Sequence, residues 1–209
     1  MFSLFKRTAV ATAAAALLAT GSAALASPVN AAPVNAAPVN AAPVNAAPAK
    51  ASDSDRLADT GIIPGTYYIK NVGTGRCLDA FYSWGGDNGN PVGLWDCNGG
   101  ISEQWQISYT TSGGYFNMVM VNARSGRCLD YPGGAKGLQF RLWDCNGYLS
   151  QHFWPYYHSD TDNYEVSVES GGGGLDMDAY ASDGGGNGNR VGLWDITGSP
   201  LQRWVFVQV

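Results

Sequence analysis

The sequence predicts an all-β fold assembled from three copies of one four-stranded unit, and three observations carry that prediction. A Leu-Trp-Asp tripeptide occurs as Leu94-Trp95-Asp96, Leu142-Trp143-Asp144 and Leu193-Trp194-Asp195, with Trp-to-Trp spacings of 48 and 51. An aspartate (Asp79, Asp130, Asp178) precedes each of these Trp residues by 16, 13 and 16 positions. No segment sustains the apolar period of a long helix, while short β-branched or aromatic runs alternate with turn signals. Recurrence at such a period means one structural unit repeated, so a site in the unit is expected in up to three versions. An all-β barrel or sandwich of about twelve strands follows.

The N-terminal residues 1–26 read as a secretory signal peptide. Lys6 and Arg7 precede an Ala/Leu/Val/Thr run, and Ala24-Leu25-Ala26 supplies a small-residue cleavage site. Residues 27–61 read as a linker. Pro-Val-Asn-Ala-Ala recurs in tandem, with prolines at 28, 33, 38, 43 and 48. Proline at that spacing restricts its neighbours to extended conformations and makes a semi-rigid spacer. Residues 62–209 are expected to form one domain, with copies at about 62–110, 111–158 and 159–209. Without Lys6 and Arg7, 10 basic residues stand against 17 acidic ones, a net charge of −7. That excludes the basic surface expected of a nucleic-acid binder, and no second apolar stretch argues for membrane insertion.

Each copy opens with a strand-forming run: Tyr67-Tyr68-Ile69, Met118-Val119-Met120-Val121 and Tyr164-Glu165-Val166-Ser167-Val168. A turn leads to a short strand ending in the recurrent Asp. An Asn/Gly loop leads to the Leu-Trp-Asp strand, and a last strand carries an aromatic residue. Asn88-Gly89, Asn98-Gly99, Asn146-Gly147 and Asn187-Gly188 are turn dipeptides that accommodate positive φ. The first and third copies align without a gap over residues 75–96 and 174–195, with fourteen of twenty-two positions identical. Four cysteines in an exported chain predict two disulfides. Cys77 and Cys97 fall in the first copy, Cys128 and Cys145 in the second, and the third replaces both positions together with Asp176 and Ile196. Paired loss points to the in-copy pairs Cys77–Cys97 and Cys128–Cys145.

The last strands add Glu103-Gln104-Trp105, Gln151-His152-Phe153 and Gln202-Arg203-Trp204. Three copies of (Cys)-Leu-Asp, Leu-Trp-Asp-Cys and Gln-x-Trp resemble the ricin-type β-trefoil lectin domain, over essentially all of residues 62–209. The resemblance implies a β-trefoil of three pseudo-symmetric four-stranded repeats, with Trp105, Phe153 and Trp204 packed in the core. It also implies carbohydrate pockets built from Asp79 and Trp95, Asp130 and Trp143, and Asp178 and Trp194. A carboxylate accepts sugar hydroxyl hydrogens and an indole face covers the sugar's C–H patch, so these residue types suit that chemistry. Ser102 stands where the family places an Asn before Gln-x-Trp and is read as a further polar contact. Ser150 and Leu201 occupy the same position in the other copies.

Two positions before each tripeptide Trp, where the family commonly has an amide, stand Gly93, Arg141 and Gly192. The first site is therefore ranked ahead of the third, and the second last. Trp84 has no counterpart in the other copies and, with Tyr180, is read as a rim residue. Asp87-Asn88-Gly89-Asn90 is a weak calcium candidate, because the third copy has Gly186 in place of Asp87. Neither a metal nor a cofactor is expected. The function expected is that of a secreted, non-catalytic, lectin-like monomer binding polysaccharide or glycoconjugate glycans. The alternative is a protein-binding trefoil such as a protease inhibitor or toxin-associated component. A glycoside hydrolase would need two positioned carboxylates; only Asp176 and Asp178 are paired in sequence, and only in one copy.

Overall fold

A computed structural model describes residues 57, 60–81, 85–168 and 174–209. The segment read as a signal peptide, most of the segment read as a linker, and Trp84 lie outside the described residues. Twelve strands run in four per copy. The first copy holds β1 (Gly65–Asn71), β2 (Cys77–Ala80), β3 (Val92–Trp95) and β4 (Gln104–Ser112). The second holds β5 (Tyr115–Asn122), β6 (Cys128–Asp130), β7 (Arg141–Trp143) and β8 (Phe153–His158). The third holds β9 (Asn163–Val168), β10 (Leu175–Ala179), β11 (Val191–Asp195) and β12 (Trp204–Gln208).

Antiparallel pairing takes β1 to β4, β4 to β5, β5 to β8, β8 to β9, β9 to β12 and β12 back to β1. Six strands thus close a ring, which leaves the barrel no open edge. The other six form the hairpins β2–β3, β6–β7 and β10–β11. Bridges Pro91↔Arg141, Gly93↔Arg190 and Gln139↔Gly192 join the three hairpins to one another. A barrel capped by three mutually bridged hairpins, repeated about a pseudo-threefold axis, is the β-trefoil.

Period-two alternation fills the interior. Tyr67 and Ile69, Met118 and Met120, and Val166 and Val168 point inward from the first strand of each copy. The hairpins contribute Leu78 and Leu94, Leu129 and Leu142, and Met177 and Leu193, all fully buried. Trp105, Phe153 and Trp204 are buried in the core as expected. The Trp105 Nε1–H donates to the Leu78 carbonyl at 2.9 Å, and the Trp204 Nε1–H to the Met177 carbonyl at 3.0 Å. Phe153 has no such donor and instead meets Phe140 and Tyr131 edge-on. Cys77–Cys97 and Cys128–Cys145 are the disulfides. Each closes a loop worth about 3 kcal/mol by chain entropy.

The copies are also stitched through side chains. Arg76 of the first copy donates to Asn187 Oδ1 and the Gly185 carbonyl of the third, while pairing with Asp96 at 3.2 Å. Arg127 of the second copy repeats the arrangement on Asn88, the Gly86 carbonyl and Asp144. Asn88 and Asn187 also exchange hydrogen bonds with Asp144 and Asp96, so the aspartate of the tripeptide is a strut between copies. Leu175 occupies the matching position in the third copy, where Lys136 pairs with Asp195 instead.

Glu103, Gln151 and Gln202 end the single 3-10 turns Ile101–Glu103, Leu149–Gln151 and Pro200–Gln202. All three are buried and accept from the backbone N–H of Asn98, Asn146 and Thr197 respectively. The two glutamines also donate to the Asp144 and Asp195 carbonyls, which a carboxylate cannot do. Burial pushes the Glu103 carboxyl above its ordinary 4.5, against the pull of its backbone hydrogen bonds. A raised carboxylate pKa favours folding below the unfolded value and loses that contribution as pH climbs through the raised one. Glu103→Gln is therefore expected to stabilise the domain at pH 7 by about 1 kcal/mol. Denaturant melts should show that gain shrinking as pH falls through the raised value and gone below the ordinary Glu value of 4.5.

Candidate functional site

The tripeptide places its three residues by strand alternation. In β3 and β11 the Leu is buried and the following Trp faces out: Trp95 is 42% exposed and Trp194 41%. Across the hairpin, Asp79 pairs with Gly93 and Asp178 with Gly192, two residues along from the Trp on the same face. Each hairpin therefore presents an exposed indole beside an almost buried carboxylate. In both copies a further ring braces the indole edge-to-face, Phe81 against Trp95 at 6.0 Å and Tyr180 against Trp194 at 5.9 Å.

That brace explains why glycine stands two residues before the Trp. A Cβ at Gly93 would lie 2.6 Å from the Phe81 ring and 2.5 Å from the Asn189 carbonyl. At Gly192 it would lie 2.0 Å from the Tyr180 hydroxyl and 2.1 Å from the Leu138 carbonyl. Tyr180, expected at the rim, is instead a wall of the site. It is 6% exposed, and its hydroxyl donates to the Leu138 carbonyl at 3.0 Å. Burial raises that phenol to about 12, so it is a fixed neutral donor.

In the second copy the same positions are exchanged together. Pro132 stands where Phe81 and Tyr180 stand, and Arg141 replaces the glycine. The Arg141 Nε donates to Asp130 Oδ1 at 2.8 Å, and Ser150 donates to Oδ2 at 2.8 Å. The guanidinium then lies over the Trp143 ring, 4.3 Å from its centre. The carboxylate and the aromatic face of this copy are thus both occupied by the protein's own arginine.

In the first copy Ser102 donates to one Asp79 oxygen at 2.8 Å. Desolvation raises the Asp79 carboxyl above 3.8, while the Ser102 hydroxyl and the charge of Arg124 pull it down. Asp178 is likewise raised, by burial first and by neighbouring Asp176 next, with Gln202 opposing. The third copy holds an open cavity of about 430 Å³ lined by Asp178, Tyr180, Ser182, Trp194, Thr197 and Leu201, among others. Leu201 gives it an apolar contact where Ser102 serves the first copy. Hydroxyls from Ser182, Thr197 and Ser199 line the cavity; Ser182 recurs as Ser83, but Thr197 and Ser199 stand where the other copies have Asn98 and Asn146, and Gly100 and Tyr148.

In the Asp87–Asn90 loop the two Asn amide oxygens are committed to the fold, while the exposed Asp87 carboxylate pairs with Arg127 at 3.5 Å. Asn88 Oδ1 accepts from Arg127 and the Asp144 N–H, and Asn90 Oδ1 from the Gly86 N–H. Among the described residues no group of three or more His, Cys, Asp or Glu is arranged to hold a metal. No helix among them is long and apolar enough to cross a membrane.

Comparison with known proteins places this geometry. The ricin-type beta-trefoil lectin domain profile matches residues 65–204. No curated protein sequence matches the chain. Among solved structures, the designed threefold-symmetric protein ThreeFoil superposes with a TM-score of 0.61 at 20% identity, covering 69% of this chain and 99% of its own. An exo-β-1,3-galactanase from Clostridium thermocellum matches with a TM-score of 0.61 at 26% identity, over 69% of this chain and 30% of the enzyme. A Macrolepiota procera ricin B-like lectin in complex with lactose gives 0.58 at 19% identity, over 71% and 99%.

The Gly192 contacts generate a direct test. Gly192→Ala must displace the Tyr180 hydroxyl or the β11 backbone, and is expected to cost roughly 2 kcal/mol in thermal or urea unfolding. Tyr180→Phe combined with Gly192→Ala should recover part of that loss.

Proposed function

The chain belongs to the ricin-type β-trefoil lectin family, and from that premise we propose that it is a secreted, non-catalytic glycan-binding protein working through the pockets of its first and third copies. The observation that carries this reading is the third-copy cavity of about 430 Å³, with the Trp194 face on one side and the Asp178 carboxylate within it. A sugar stacked on that indole would bring hydroxyls to Asp178 and to the surrounding Ser and Thr groups. Asp79, Ser102 and Trp95 make the second working pocket. Asp130 and Trp143 form a closed one, held shut by Arg141.

Binding rather than hydrolysis is favoured because each open pocket offers one carboxylate. Beside Asp178, Asp176 is fully buried with one oxygen held by Ser167, and beside Asp79, Glu103 is fully buried and held by backbone N–H groups. Galactose-type sugars are the first ligands to try, given the lactose-bound lectin and the galactanase among the similar structures. Export through the residue 1–26 segment fits the two disulfides. Each pocket alone should bind weakly, about −4 kcal/mol, and two on one rigid domain gain by avidity on a repetitive polymer.

Glycan-array binding and pull-down on insoluble galactan test the reading. Trp194→Ala and Trp95→Ala should each weaken retention, and the double variant should abolish it with the far-UV spectrum unchanged. Full retention by the double variant would sink the pocket assignment. Binding should also fall on acidification. An ionised carboxylate is the acceptor, so affinity holds above the raised pKa values of Asp79 and Asp178. It should be lost as pH drops through them, beginning above the ordinary aspartate value of 3.8.

A further inference from the structure

The face of the third copy does not end at Trp194. Strand register sets Trp194 opposite Asp176, Asp176 opposite Ser167, and Ser167 opposite Trp154, one residue on each of β11, β10, β9 and β8. Directly opposed residues share a face of the sheet, and three strand spacings put the two Trp backbones about 14 Å apart. The equivalent rows in the other copies are Trp95, Cys77, Lys70, Val205 and Trp143, Cys128, Val121, Gln106. Only in the third copy does the row have an indole at both ends, with a hydroxyl and a carboxylate where the others carry a disulfide cysteine and its neighbour.

Trp154 is 41% exposed, and Tyr156, two residues further along the same face of β8, is 59% exposed. The trefoil does not require either ring, since the first copy has Gln106 and Ser108 there and the third has Val205 and Val207. Tyr115, Trp154, Ser167 and Val168 line an open groove of about 300 Å³. Ser167 donates to Asp176 Oδ1 at 2.6 Å, which leaves the hydroxyl lone pairs available as acceptors. Asp176 is fully buried, and its Oδ2 has no partner among the described residues. The nearby Glu165 is neutralised, accepting from Arg203 at 2.9 Å and lying 3.0 Å from His158. Exposed rings, hydroxyls and no unpaired charge from Glu165 suit a neutral, hydroxyl-bearing chain. The shared register with Trp194, across a covered Asp176 and a half-buried Ser167, makes such a chain the occupant.

We propose that the carbohydrate surface of the third copy extends from Trp194 across β10 and β9 to Trp154 and Tyr115, and takes an internal run of several sugars in a polysaccharide. This rests on the glycan-binding reading above and adds the length of the ligand to it. Trp154 is the second stacking platform and Ser167 the polar contact between the two indoles.

The test is calorimetric titration of the full chain with galactose and a series of β-1,3-linked galacto-oligosaccharides of increasing length. A Trp95→Ala background isolates the third copy. Affinity should rise with oligomer length. Trp154→Ala should leave galactose binding unchanged and weaken the longest oligomer roughly tenfold, while Trp154→Phe retains most of the gain. Because Trp154 is exposed, loss of the fold is checked simply by comparing melting curves. Galactose binding with no dependence on length, or a Trp154→Ala variant that holds long oligomers as tightly as its parent, overturns the extension and leaves the pocket standing. A chain that takes neither galactose nor any oligomer overturns both the extension and the galactose reading beneath it.

Discussion

Two buried indole hydrogen bonds hold the architecture together. Trp105 and Trp204 reach from the barrel interior to the backbone carbonyls of Leu78 and Met177, so the first and third hairpins are anchored at the residue beside Asp79 and Asp178. A buried donor without a partner costs roughly 1–3 kcal/mol, so hairpin and barrel are bound to one relative position. Asp79 and Asp178 follow the anchored carbonyls by one residue, which is how a core contact sets the position of a surface carboxylate. The second copy has Phe153 in this place and relies on ring packing with Phe140 and Tyr131. It is also the copy whose pocket is closed.

Much of this was legible in the residues. The threefold recurrence carried the strand number, and the joint replacement of two cysteines by Asp176 and Ile196 carried the disulfide pairing. What escaped were contacts between copies. The role of Asp96 and Asp144 as struts depends on Asn187 and Asn88, 91 and 56 residues away, and no local pattern links such positions. The brace of Phe81 and Tyr180 over glycine was visible only as an unexplained departure from the family. The aligned copies did hold a signal: a ring with glycine in two copies, and Pro132 with Arg141 in the other. That exchange pairs the loss of the ring with the gain of an arginine that reaches Asp130 and covers Trp143.

The electrostatics of the open pockets follow from the same packing. A carboxylate that is nearly buried, yet has a hydroxyl or amide on one side, stays a strong acceptor without drawing in a counter-ion. Arg141 shows what happens when a cation comes within reach: the acceptor and the stacking face are consumed in a single contact. The cations beside the third pocket are paired with other carboxylates, Arg190 with Asp183 and Lys136 with Asp195.

The third-copy cavity is bordered by Gly137 of the second copy as well as by residues of the third. It straddles the seam where the arginine strut is replaced by the exposed Lys136–Asp195 pair, and exposed pairs of this kind hold little energy and yield to salt. A ligand seated there would touch two repeats at once. Because it would bind only the folded domain, occupancy would be linked to the stability of the whole trefoil.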